Sequence, residues 1–179
     1  MSGRFQRLVG LCHRYGPGKL PRAEERGIGA GYACAGAALL AALTFAGVML
    51  LLWLFGPEPL LAGTLGRAAI VAIPVVVPGA FVAGWATWTG LPAERERFGA
   101  RAGAIAAGAT YVVASAFLVP LLLAASYVER VPLGVETGDV LPAVFLVLVP
   151  AGFLLTFWLT VPLGAAAGYV HERARTATD

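Results

Sequence analysis

The chain has 179 residues, 59% of them hydrophobic and 13% charged, with a mean hydropathy of +0.79 and a formal net charge of +3. A soluble domain carries about a quarter charged residues, whereas here all 13 Lys+Arg and 10 Asp+Glu lie outside four uncharged runs, 27–57, 68–93, 102–128 and 140–171. This excludes a soluble core, and so small a basic surplus serves topology rather than nucleic-acid binding.

Each run exceeds the roughly 20 apolar residues that cross a bilayer. None shows the polar stripe of a soluble core helix. The expected fold is an all-α membrane protein, a four-transmembrane-helix bundle.

Residues 1–27 form a basic N-terminal segment. Phe5, Leu8, Val9, Cys12 and Tyr15 recur at helical spacing, which predicts a short amphipathic helix lying in the membrane interface, broken by Gly16-Pro17-Gly18. The first apolar run is longer than the 7–15 residues of a secretory signal core, so it reads as a retained span.

The transmembrane domain covers 28–171, with helices over about 28–55, 68–91, 102–127 and 140–170, and 172–179 form a tail. Eleven basic residues fall on the side of the two termini and the second loop. Only Arg67 and Arg130 fall opposite. Excess Lys/Arg marks the cytoplasmic side, so both termini are expected inside a cell membrane. The strong bias to Arg, Ala and Gly suggests a prokaryotic, G+C-rich source. Trp53 and Tyr127 would belong to the outer aromatic belt, and Tyr32, Trp88 and Tyr169 to the inner one.

Helices 2 and 4 carry similar words, VVVPGAFVAGW at 75–85 and VLVPAGFLLTF at 147–157. Pro78 and Pro150 each follow the last preceding charge by eleven residues. ERGIGAG at 25–31 also resembles ERFGARAG at 96–103. An offset of about 70–72 residues suggests a tandem duplication of a two-helix hairpin, of the parallel kind seen in some transporters.

Proline in a helix removes one hydrogen bond and frees the carbonyl four residues earlier. Pro74, Pro78, Pro120, Pro150 and Pro162 are therefore expected kinks, freeing Ile70, Pro74, Ala116, Leu146 and Trp158. In hydrocarbon those carbonyls need a neighbouring helix, a hydroxyl or water. Gly27–Gly31, Gly99–Gly103 and Gly164–Gly168 each read GxxxG, a spacing that lets helix backbones approach closely. They are expected to pack helices 1, 3 and 4 together, or to form a homo-oligomeric contact.

The helices contain no interior Asp, Glu, Lys or Arg, which disfavours proton relays and charged-ion pathways. His13 and His171 lie at the membrane edge or beyond it, His171 as a cap on helix 4. Ser115 and Ser126 have no activating partner, so an enzyme is not expected, nor a metal or cofactor. Trp85, Thr110, Tyr111, Ser115, Thr156, Trp158 and Thr160 could line a small amphipathic pocket, or could instead bond one another.

The leading functional expectation is an accessory or scaffold subunit acting through helix packing, with a membrane-protein partner or a second copy. The alternative is a small oligomeric transporter or pore for a neutral or lipid-like solute. A third expectation is a tether whose basic N-terminal segment recruits a cytoplasmic partner.

Overall fold

The structure, a computed structural model, describes residues 20–92, 98–129 and 143–175. The expected interfacial helix, with Cys12 and His13, lies outside these residues. So do the segments 93–97 and 130–142 and the end of the tail.

Among the described residues four helices follow in chain order: α1 (Arg26–Phe55), α2 (Pro59–Gly90), α3 (Phe98–Glu129) and α4, which opens with a π-helical turn (Ala143–Leu148) and continues as α-helix over Val149–Arg175. All four are long and apolar enough to cross a membrane. The molecule is an all-α four-helix bundle and a multi-pass membrane protein. α1 packs on α2, α2 on α3, α3 on α4 and α4 back on α1, while the α1–α3 diagonal scarcely touches.

The ends of the helices differ from the expected spans for a physical reason. Charges limit how far a helix can sit in lipid, not how far it can continue as a helix. α2 begins at Pro59 rather than near Ala68, because proline at the first helical position sacrifices an N–H that had no partner anyway. Arg67 therefore lies inside α2, where its Nε donates to the Gly63 carbonyl at 3.2 Å, and Thr64 Oγ1 donates to the Leu60 carbonyl at 2.8 Å. α4 likewise runs to Arg175, with Arg173 and Arg175 in its last turn. Those arginines meet the negative end of the helix dipole, and His171 does not cap it.

Ahead of α1 the chain folds back on itself. Ala23 N–H donates to the Leu20 carbonyl at 3.1 Å and Glu25 N–H to the Arg22 carbonyl at 3.0 Å. Arg22 adopts φ 60, in the left-handed region. Tyr32 of α1 donates its hydroxyl to the Pro21 carbonyl at 3.4 Å, holding the turn against the helix.

The packing runs inside-out relative to a soluble protein. Buried positions include Ala30, Ala41, Ala80, Ala83, Ala102, Ala106 and Ala114, whereas Leu40, Leu51, Leu54, Val71, Leu146 and Leu154 point outward. Lipid solvates large apolar side chains as well as a core does, so close helix approach is left to small residues. A few larger side chains are buried as well, Phe45, Phe98 and Val144 among them, and Trp88, 1% exposed, is the largest fully buried one among the described residues. Expected in the inner aromatic belt, it is instead part of the core.

The glycine pairs divide between two interfaces. A Cβ on Gly27 would lie 2.9 Å from both Trp85 and Thr89, and one on Gly31 would lie 2.9 Å from Phe81, so the α1 pair packs on α2. A Cβ on Gly99 would meet the carbonyl of Gly168, and one on Gly103 the carbonyl of Gly164. These two pairs bring α3 and α4 together backbone to backbone. Helix 1 thus differs from expectation in its partner, because GxxxG specifies a close approach without saying to which helix.

The pairing also bears on the 72-residue offset. Carried by that offset, the contact of Gly27 with Trp85 would become Gly99 with Phe157, and that of Gly31 with Phe81 would become Gly103 with Phe153. The observed partners are Gly168 and Gly164, each eleven positions further along α4. Eleven residues are about three helical turns, so the second hairpin keeps the same helix faces but pairs in a different register.

Candidate functional site

Pro74 and Pro78 lie within α2, Pro120 within α3 and Pro162 within α4. Pro150 is the second residue of the α-helical part of α4, directly after the π-helical turn. There the missing N–H coincides with a wider turn, a usual companion of broken helical bonding. Gly79, next to Pro78, lets α2 approach α3: a Cβ there would lie 3.0 Å from the Cα of Ala114. The described hydroxyls bond to carbonyls other than the five freed by proline, as follows.

Of the seven residues considered for a pocket, three meet. Tyr111 of α3 places its hydroxyl 2.5 Å from Thr156 Oγ1 and 2.9 Å from Thr160 Oγ1 on α4. Thr156 and Thr160 also reach the carbonyls of Gly152 at 2.8 Å and of Thr156 at 3.1 Å. Phe153 stands edge-on to the Tyr111 ring at 5.2 Å. Three hydroxyl hydrogens serve four close oxygen contacts, so the group has more acceptors than donors. It forms a shared link between α3 and α4, with each oxygen facing protein.

The other four do not join it. Thr110 is buried and donates to the Ala106 carbonyl at 2.7 Å; Ser115 is buried and donates to the Val112 carbonyl at 2.6 Å. Trp158 is half exposed on the outer face, its Nε1 on the Leu155 carbonyl at 2.8 Å. Trp85 covers Gly27 at the α1–α2 contact.

A second polar group lies at the charged end of the bundle, and all four helices contribute to it. Arg26 opens α1, Trp88 is near the end of α2, Phe98 opens α3, and His171 and Glu172 lie in the last turns of α4. The Trp88 ring stands edge-on to Phe98 at 5.8 Å and to His171 at 6.0 Å. The Arg26 guanidinium carbon sits 4.7 Å above the Phe98 ring, within cation–π range. Glycine makes room for the group: a Cβ on Gly29 would lie 2.8 Å from the His171 ring, and one on Gly99 would lie 2.6 Å from the Cβ of Glu172.

Among the described residues, five buried polar atoms here have no hydrogen-bond partner: Arg26 Nε and Nη2, Trp88 Nε1, His171 Nε2 and Glu172 Oε2. Each such atom costs about 1–3 kcal/mol when left unmade. The sequence offered these residues only singly, as topology signals, a belt tryptophan and a helix cap. Their meeting depends on chain segments that are far apart in sequence.

No protein-family model, curated protein or solved structure matches the chain.

Proposed function

We propose that the protein is a non-catalytic integral-membrane subunit that works through helix packing, as an accessory or scaffold for another membrane protein. The single observation that carries this reading is the Tyr111–Thr156–Thr160 link, in which the largest set of hydroxyls bonded together among the described residues is spent on joining α3 to α4. A solute pathway needs polar groups turned toward its cargo. Here they are turned toward backbone and one another, and small residues close the helix contacts. The backbone contact of Gly103 with Gly164 and the exposed apolar faces of α1 and α4 support the same reading. On this reading the chain sits in a cell membrane with both termini inside, and it needs neither cofactor nor nucleic acid.

The decisive experiment is native mass spectrometry of the protein extracted from its own membrane in mild detergent. A stoichiometric membrane-protein partner is the expected result. A homo-oligomer without a partner would sink the subunit reading and bring forward the alternative, an oligomeric pore or transporter for a neutral or lipid-like solute.

A further inference from the structure

The polar group at the charged end has an unbalanced demand for hydrogen bonds. Arg26 Nε, Arg26 Nη2 and Trp88 Nε1 can only donate. His171 Nε2 donates or accepts, and Glu172 Oε2 accepts. All five are buried and unpartnered, and Trp88 is 1% exposed, so solvent does not satisfy the indole. A guest that satisfied them would present several acceptor oxygens together with one donor.

The position of the group narrows the guest. Arg26, Phe98 and His171 stand at the ends of the apolar spans, beside charged sequence, and lipid headgroups would meet a spanning bundle at such a boundary. Arg26, His171 and Glu172 are each only part-buried. For a headgroup to reach Trp88 Nε1, the long side chains of Arg26 and Glu172 turn outward, as such chains do at an interface.

We propose that this end of the bundle is a headgroup site for a phospholipid that carries both a phosphate and a hydrogen-bond donor, of the phosphatidylethanolamine kind. Arg26 and Trp88 bind the phosphate oxygens, with guanidinium–phosphate pairing the strongest of these contacts. Glu172 takes the ammonium of the headgroup. Phosphatidylcholine offers the same phosphate but has no N–H for Glu172, so it binds more weakly.

The test uses the full chain, stripped of lipid in a maltoside detergent. Phosphatidylethanolamine, phosphatidylcholine and inorganic phosphate are added separately. Retained lipid is read by native mass spectrometry and stabilisation by thermal unfolding. Phosphatidylethanolamine is expected to be retained about tenfold better than phosphatidylcholine, the worth of a charge-assisted hydrogen bond. Trp88→Phe keeps the ring, removes the donor and lowers phosphatidylethanolamine retention about fivefold. Arg26→Gln lowers retention of both lipids, and Glu172→Leu abolishes the preference between them. Equal retention of the two lipids by the natural chain would overturn the proposal, as would lipid retention unchanged in both Trp88→Phe and Arg26→Gln. Equal stabilisation by inorganic phosphate alone would assign a soluble oxyanion and overturn the lipid source. Should Trp88→Phe unfold without lipid, Arg26→Gln and Glu172→Leu carry the comparison, since their side chains lie nearer the surface.

Discussion

A Cβ placed on Gly164 would lie 2.7 Å from the carbonyl oxygen of Gly103 and 2.8 Å from the Ala107 methyl, so α3 and α4 meet at this level with only backbone and one methyl between them. Gly99 and Gly168 repeat the arrangement one turn away. Replacing Gly103 with Ala should therefore push the two helices apart and cost about 1–3 kcal/mol, as overpacking does. Gly36→Ala and Gly108→Ala have open space around the new methyl and should leave stability nearly unchanged. Unfolding of the purified variants in mixed micelles distinguishes the two groups. A neutral Gly103→Ala would rule out the backbone contact.

The Tyr111 link calls for a different outcome. Thr156 and Thr160 keep their own-helix carbonyls when Tyr111 becomes Phe, so little is left unsatisfied. Side-chain hydrogen bonds between membrane helices average about 0.6 kcal/mol. Tyr111→Phe and Thr156→Val should each cost about that much, and a double-mutant cycle should show coupling of the same size. A much larger loss, or loss of a bound small molecule, would indicate that the hydroxyls serve a guest.

Much of this architecture can be read from sequence, and the reasons are specific. Long uncharged runs announce spans because lipid forbids unpaired charge along their length. Charge says less about helix ends, which is why Arg67 proved to lie inside α2 and His171 ahead of the last turn of α4. Glycine spacing announced close contacts, yet could not distinguish α2 from α3 as the partner of Gly27 and Gly31. The end group of Arg26, Trp88, His171 and Glu172 was illegible for a simpler reason. Its members come from three stretches far apart in sequence, with only His171 and Glu172 adjacent, and no stretch has a local pattern that suggests the others.

Pro150 offers a local test of the π-helical turn. Its absent N–H leaves the Leu146 carbonyl without its α-helical partner. Pro150→Ala restores that donor and should tighten Ala143–Leu148 toward α-helix, slowing amide exchange there and leaving the far end of α4 unchanged. Exchange measured on the protein in nanodiscs reads this directly. Unaltered exchange over 143–150 would mean that packing, not proline, sets the wider turn.

Orientation is open to labelling in whole cells. Cys34 is 6% exposed and should resist a membrane-impermeant maleimide in the folded protein. With Cys12 replaced by Ser, a Pro57→Cys variant in the short α1–α2 connection should be labelled from outside, since both termini are expected inside. Labelling of Pro57→Cys only after the cells are broken would reverse the topology.

The bundle's alanine and glycine interior, wrapped in leucine, valine and phenylalanine, sets an unusual rule for sequence drift. Outward positions such as Leu40, Val71 and Leu154 can exchange among large apolar residues with little consequence, because fluid lipid accommodates any of their shapes. Inward positions such as Ala30, Ala80, Ala102 and Ala106 should tolerate little added volume, since they are fully buried and overpacking a close-packed interior is costly. Variants of this chain would then diverge fastest in its most hydrophobic side chains and slowest in its smallest, with size rather than polarity deciding which substitutions survive.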